Sequence, residues 1–545
     1  MKNTLKLKII AVAFLSLLAA CGAELKEISV TLTPSALLLT VFQSAQFNVR
    51  VNNSSNNAVT WSLSGSGCSG ASCGTISNTG LYTAPSSVPS PATVTVRATS
   101  AADTSKSANA TITIIAEPST WTWVSGGMFR NEPGTYGTKG VAAPQNAPGG
   151  RGSAVSWLDS SGKLWLFGGS GYDADSFTTL NDLWKYDSTS NQWTWVSGSN
   201  RFGGQYGIYG TKGISDAANV PGGRQQAVSW SDSSGKLWLF GGLGVDGEGH
   251  WGYLNDLWRF DTASNEWTWI SGSNIFWQAG TYGTKGLASP ENVPGSRDGA
   301  ISWIDSRGKL LLFGGYGVDS TGESGGLNDL WKFDPMTLEW TWVSGSDIRG
   351  QKPVYGTKGL ASPENDPGVR GLVASWIDSS DNLWLFGGGE MNDLWKFDSS
   401  TLEWTWASGS NIPGQFGNYG VKGQAAPENI PGSRGSLVSW IDSGGNLWLF
   451  GGIGRYPPAG FGVLNDLWKF NPATLEWTWM SGSSTGGEPG SYGTIGEPHF
   501  MNVPGARKEA VSWTSPQGEF WLFGGEGYDS IGQSGKLDDL WRYIR

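Results

Sequence analysis

The sequence predicts an all-β protein, a six-bladed β-propeller preceded by a small β-sandwich. Three observations carry this reading. Apolar and polar residues alternate in short runs broken by Gly-Gly, Asp-Ser-Gly and Asn-Pro, the pattern of strands and turns. From about residue 117 one unit recurs, with a double glycine at Gly168, Gly241, Gly314, Gly387, Gly451 and Gly524 and Asp-Leu-Trp at Asp182, Asp256, Asp329, Asp393, Asp466 and Asp539. Trp-Thr-Trp or its equivalent also recurs, but its first copy at Trp121 precedes any complete unit, and none follows the last Asp-Leu-Trp before Arg545. Units of this size cannot each bury a core alone and must stack. The orphan segment at 120–124 is expected to complete the last unit and close a ring, where a solenoid would need polar caps.

Taken in order, residues 1–20 carry Lys2, Lys6 and Lys8 ahead of an apolar run shorter than the ~20 residues of a bilayer-spanning helix, the pattern of a signal peptide. The segment ends Leu18-Ala19-Ala20-Cys21, which resembles the lipobox of bacterial lipoproteins. That resemblance implies an acylated Cys21 followed by a short tether over 21–26. The protein would then meet the membrane through its lipid alone. Gly22, in place of an aspartate, implies sorting to the outer membrane of the bacterial envelope.

Formal charge is −10 and falls further without the three leader lysines. An acidic surface argues against nucleic acid and against anionic lipid as partners. The remaining cysteines, Cys68 and Cys73, bracket a short loop and read as a local disulfide in an oxidising compartment, with two free thiols as the alternative. Between 27 and 116, period-two runs such as Ile-Ser-Val-Thr-Leu-Thr and Ala-Thr-Val-Thr-Val-Arg read as five or more strands of a sandwich. The segment from Gly74 to Pro85, following Trp61, resembles bacterial Ig-like domains of cell-surface proteins, with Trp61 as a core residue.

In the repeat region, 117–545, each unit reads as four strands, exemplified by A at 437–441, B at 447–450, C at 466–470 and D at 476–480. An arginine opening strand A, a B strand ending in Gly-Gly, Asn-Asp-Leu-Trp in C and tryptophan in D resemble the kelch repeat. These units are longer than the ~50 residues of that repeat, and the surplus lies in the connections. Of the 32 tryptophans nearly all fall at fixed strand positions, as core residues do. Within the repeats Trp251 and Trp277 do not, which makes them ligand candidates. Strand parity puts the D–A and B–C connections on one face and the tight A–B and C–D turns on the other. Function usually sits on such long loops.

Arg151, Arg224, Arg297, Arg370, Arg434 and Arg507 open the six A strands. By resemblance to kelch adaptor domains they would ring a central mouth for an acidic ligand. The alternative is pairing with loop acids such as Glu291, Glu364 or Glu428. Asp173, Asp246, Asp319 and Asp529 follow the double glycines and read either as turn formers or as calcium ligands; the spacing is not that of an EF-hand. The fourth unit has the shortest B–C connection, Gly389-Glu390-Met391. Beside it the longer loops carrying Trp251 and Trp277 would form a one-sided groove for an extended chain, with Arg297 and Arg370 at its inner edge.

Secreted kelch propellers also resemble the core domain of galactose oxidase, whose copper site takes two histidines, a tyrosine and a cysteine cross-linked to a second tyrosine. Residues 117–545 hold only His250 and His499 and no cysteine, so that chemistry is excluded. No catalytic residues, cofactor or metal are expected. The expectation is a monomeric, envelope-anchored binding module for carbohydrate or protein. A carbohydrate-active enzyme using loop carboxylates is the second reading.

Overall fold

The computed structural model describes residues 26–85, 88–115, 119–201 and 205–545. Cys21 and the leader lie outside the described residues. Among those described, no helix is long and apolar enough to cross a membrane. The chain divides into two compact units, 1–118 and 119–545.

In the first unit Ala36–Thr40, Ser107–Ile115, Thr93–Ser100 and Val59–Ser64 form one sheet in that order, with Ala36–Thr40 running parallel to its neighbour. Ser29–Thr33 pairs with Asn48–Asn52, and Leu81–Thr83 sits between Ser44–Gln46 and Thr75–Ile76. Strand alternation turns Val94, Val96, Ile112 and Ile114 inward to pack with Phe47 and Tyr82. Trp61 is half-buried against this core. Cys68 and Cys73 are disulfide-bonded, and the Tyr82 hydroxyl donates to the Cys73 carbonyl at 2.8 Å.

The second unit is a β-propeller of repeated antiparallel sheets. In its first repeat strand A is Val155–Leu158, B is Leu164–Tyr172, C is Phe177–Asp187 and D is Gln192–Ser197, paired in that order. Strand A alternates between buried and half-buried positions, whereas B is buried on both faces over its first six residues, as a strand between two others inside a stack must be. The later A strands are Val228–Ser231, Ile301–Ile304, Ala374–Ile377, Val438–Ile441 and Val511–Thr514. Tryptophans lock neighbouring sheets together. Trp157, Trp165 and Phe167 pack against Leu239, Trp258 and Phe260 of the next repeat, and Trp157 Nε1 donates to the Trp238 carbonyl at 2.9 Å.

Thr120–Ser125 lies antiparallel to Ser534–Ile544, with Trp121 opposite Tyr543 and Trp123 opposite Trp541. The N-terminal segment of this unit is thus the outer strand of its last sheet. At the inner rim, backbone N–H groups donate from Gln226 to Ser153, Gly299 to Gln226, Leu372 to Gly299, Ser436 to Leu372, Glu509 to Ser436 and Ser153 to Glu509, at 2.7–3.0 Å. The last of these bonds returns to the first residue.

The D–A insertions do not all stack on one face as the strand parity implies. Each turns down the outside of the sheet that it introduces. Ser215–Asp216, Ala288–Ser289 and Ala361–Ser362 pair with the D strands Glu266–Ser271, Glu339–Ser344 and Glu403–Ser408. Single bridges Ala143–Trp193, Ala426–Trp477 and His499–Trp121 do the same in the other repeats. The reason is the exposed edge of strand D, a row of unpaired backbone groups that the insertion covers. Its signature residues are clamps: Lys285 lies 4.2 Å over the Trp342 ring and donates to the Gly345 carbonyl, while Asn292 Nδ2 donates to the Leu287 and Trp340 carbonyls.

Deleting residues 117–126 should lower the melting temperature by several degrees, because the edge of Ser534–Ile544 loses its partner. An unchanged melt would show that the strand is dispensable.

One residue at this junction departs from its counterparts. Asparagine precedes Asp-Leu-Trp in five repeats and Asp538 in the last. Asn255 both donates to the Pro294 carbonyl and accepts from the Ser273 N–H. Asp538 accepts from the Gly127 N–H at 3.2 Å, and burial, then Asp539, pushes its carboxyl up to about 7. A folded-state value above the ordinary range means stability that is full in acid and lost as pH rises through that window. Asp538→Asn should therefore raise the melting temperature by about 2 °C or more at pH 8 and by much less at pH 4. An equal shift at both values would exclude this titration.

Candidate functional site

The six arginines do not line the mouth. Arg151, Arg224, Arg297, Arg370, Arg434 and Arg507 are buried, and each pairs with the aspartate of its own Asp-Leu-Trp. None is paired with Glu291, Glu364 or Glu428. In the fifth repeat Arg434 meets Asp466 with two bonds, Nη1 to Oδ1 at 2.6 Å and Nη2 to Oδ2 at 2.9 Å, and donates to the Gly451 and Gly432 carbonyls. Tyr419 Oη and Trp468 Nε1 donate to the same carboxylate. Four of the five N–H donors of Arg434 are thus engaged inside the sheet, and removing one partner of a buried pair typically costs about 3–5 kcal/mol. Arg297, expected at the groove edge, is engaged in the same way.

The loop aspartates are turn formers. Asp173, Asp246, Asp319 and Asp529 are buried, and each accepts backbone N–H groups two to four residues onward. No group of three metal-ligating side chains occurs among the described residues.

The sixfold pattern fails at the seam between the third and fourth repeats. Arg370 makes a single bond to Asp393 and one to the Val369 carbonyl, leaving its Nε and Asp393 Oδ1 buried without partners. The indole N–H of Trp303 also lacks a partner, whereas Trp157, Trp230, Trp376, Trp440 and Trp513 each donate to a neighbouring sheet. The local cause is the short connection Gly389-Glu390-Met391, which withdraws the hairpin that supports the arginine in the other repeats.

A cavity of about 270 Å³ opens there beside the inner rim, lined by Gln226, Asp298, Tyr316, Arg370, Leu372 and Gly389 among others. The repeats differ most at these positions. The residue after the arginine is Gly152, Gln225, Asp298, Gly371, Gly435 or Lys508, and the one after the double glycine is Ser170, Leu243, Tyr316, Gly389, Ile453 or Glu526. Register sets Asp298 opposite Tyr316. Asp298 is 9% exposed. Burial pushes its carboxyl up to about 7, opposed only by a hydrogen bond from its own backbone.

An aromatic row leads away from the cavity. Tyr316 lies 6.1 Å from Tyr253, which lies 5.6 Å from Trp277. Trp277 and Tyr316 are exposed. The Trp277 backbone has φ 59°, at a position where Asn131, Gly350, Gly414 and Gly487 have 63°, 78°, 75° and 79°. A bulky side chain in the left-handed region is strained; Leu338, Leu402 and Leu475 carry the same strain in C–D turns, and what sets Trp277 apart is its exposure beside Tyr253. Trp251 is exposed on the adjoining hairpin, opposite Val245, outside this row. Beyond the low fourth repeat, the Arg455 guanidinium lies near Glu390 and over the Phe461 and Phe416 rings. The expected one-sided groove therefore has aromatic groups on both sides. Sequence reasoning missed Asp298, Tyr253 and Tyr316; aligning the six repeats column by column would have exposed them as the odd members.

No family model matches the chain. A stretch of 201 residues is 29% identical to Tip elongation aberrant protein 3 of Schizosaccharomyces pombe, covering 34% of this chain and 15% of that protein. Over 180 residues the chain is 25% identical to N-acetylneuraminate epimerase 2 of Escherichia coli O6:H1, covering 31% of this chain and 44% of the epimerase. The chain thus spans less than half the length of these curated relatives. Among solved structures, YjhT superposes with a TM-score of 0.43 at 15% identity, over 74% of this chain and 95% of that one. A protein of unknown function from Bacteroides thetaiotaomicron gives 0.42 at 10% identity, over 95% and 98%.

Proposed function

We propose that residues 117–545 are a six-bladed kelch-type propeller closed by Thr120–Ser125, held by a bacterial Ig-like spacer on an outer-membrane lipid anchor, and that it binds carbohydrate at the seam between the third and fourth blades. The observation that carries the binding reading is the Trp277–Tyr253–Tyr316 row, whose first member keeps a strained backbone where other repeats have glycine or asparagine. Exposed aromatic faces beside a cavity with a few polar groups suit the apolar faces and hydroxyls of sugars. The partial likeness to N-acetylneuraminate epimerases supports a carbohydrate ligand. A carbohydrate-active enzyme is favoured less: Asp298 has the raised carboxyl of a general acid, but glycoside hydrolysis ordinarily takes two carboxylates, and the cavity lining holds no second one among the described residues.

The purified full chain is tested on an array of immobilised oligosaccharides. Trp277→Gly relieves a left-handed backbone worth about 1–2 kcal/mol, so the variant should melt within about 2 °C of the wild type or higher. Its binding should nevertheless fall at least about tenfold. Normal binding by this variant would place the site elsewhere, and a chain that binds only proteins would replace carbohydrate as the ligand.

Anchoring has its own test. Cys21→Ser should move the protein from the membrane fraction to the soluble one, and unchanged fractionation would remove the lipid anchor from the proposal.

A further inference from the structure

We propose that the seam cavity is a subsite for one uncharged sugar ring, held through its hydroxyl groups between Asp298 and Arg370, and that it discriminates against sugar acids. This rests on the carbohydrate reading above and departs from it in one respect, since the sugar in the name of the partly similar epimerases is itself an acid.

The first support is the pair of unmet polar groups. Arg370 is 6% exposed and its Nε–H has no acceptor; Asp298 is 9% exposed and takes no hydrogen bond from another residue. Both line the same cavity. Asp298 is thus an acceptor without a protein partner in a cavity whose wall also holds a guanidinium, and a hydroxyl, which both accepts and donates, suits a group of either kind. Sugar rings present such hydroxyls in adjacent pairs.

Charge decides between neutral and acidic sugars. Arg370 is already matched by Asp393. Among the described residues lining the cavity, Arg370 is the one cation and Asp298 the one carboxylate. With its carboxyl raised to about 7, Asp298 is uncharged in mild acid and adds a negative charge above neutrality. In neither state does the cavity offer an unmatched positive charge, so a sugar carboxylate would be buried uncompensated. Size and lining point the same way. About 270 Å³ falls below the roughly 300–1,000 Å³ that encloses a drug-sized ligand, which leaves room for one ring. Val369, Leu372 and Tyr316 supply apolar surface for its C–H face.

These features belong to one seam. Asp298 stands where three other repeats have glycine, and Gly389 of the fourth repeat leaves open the space facing Tyr316.

The test uses the full chain with matched pairs of oligosaccharides, each neutral glycan beside its counterpart ending in a uronic or sialic acid. Neutral members should bind at least about tenfold tighter. Asp298→Gly, which restores the residue found in the first, fourth and fifth repeats, should melt as the wild type does and lose about tenfold in affinity for neutral glycans. Asp298→Asn, which keeps hydrogen bonding, should stay within about threefold and narrow the discrimination against acids. Tighter binding of the acidic members, or neutral binding unchanged in Asp298→Gly, overturns the proposal. If acidic glycans bind and Trp277→Gly abolishes it, the carbohydrate site stands and only its neutral specificity falls. If no saccharide binds, both fall.

Discussion

The buried arginine–aspartate pair is the joint on which each repeat depends. It ties the segment leading into strand A to the Asp-Leu-Trp of strand C, takes a tyrosine hydroxyl from the D–A insertion and an indole N–H from the aspartate's own strand, and binds the carbonyl of the Gly-Gly turn. Two charges without water are costly unless every lone pair and proton is used. Here the arginine engages four N–H groups and the carboxylate accepts four bonds, and these join three segments of the chain in one register. The pair therefore specifies where the chain enters each sheet more than it adds net stability.

That constraint explains why the candidate site lies where it does. In five repeats the joint is built alike, with two bonds between arginine and aspartate. In the fourth, the shortened B–C connection removes a support, Arg370 and Asp393 keep unmet groups, and a cavity opens against the third repeat. A symmetric scaffold presents a ligand with six equivalent choices. Relaxing one joint makes a single seam different without disturbing the other five, and the bulky residues Tyr253, Trp277 and Tyr316 cluster on that side.

Much of the fold was legible because strand periodicity and repeat spacing are local signals. The four-strand units, the core tryptophans and the pairing of the segment at Trp121 with the last strand follow from them. The arginines were harder. A charged residue at a strand start reads equally as ligand or as joint, and its partner Asp466 lies 32 residues away in sequence but within 2.6 Å in space. The path of the D–A insertions was misplaced for a similar reason: strand parity fixes where a loop leaves a sheet, whereas the unpaired edge of strand D fixes where it goes. Asp298 was overlooked because the recurring pattern drew the reading toward positions that agree, and its significance lies in disagreeing with Gly152, Gly371 and Gly435.

The bridging of each outer strand by the insertion that precedes its own inner strand has a consequence for how such a chain can lengthen. A tandem copy running from one insertion to the end of the following D strand carries its own edge protection and its own arginine–aspartate joint. Copying it adds a module that still needs its neighbours for a core but brings its own edge cover and joint, and leaves the terminal pairing of Thr120–Ser125 with Ser534–Ile544 untouched. Divergence can then act on one copy at a time. The boundary natural to duplication is offset from the boundary of the sheets, and it falls at the Ser-Gly that closes strand D.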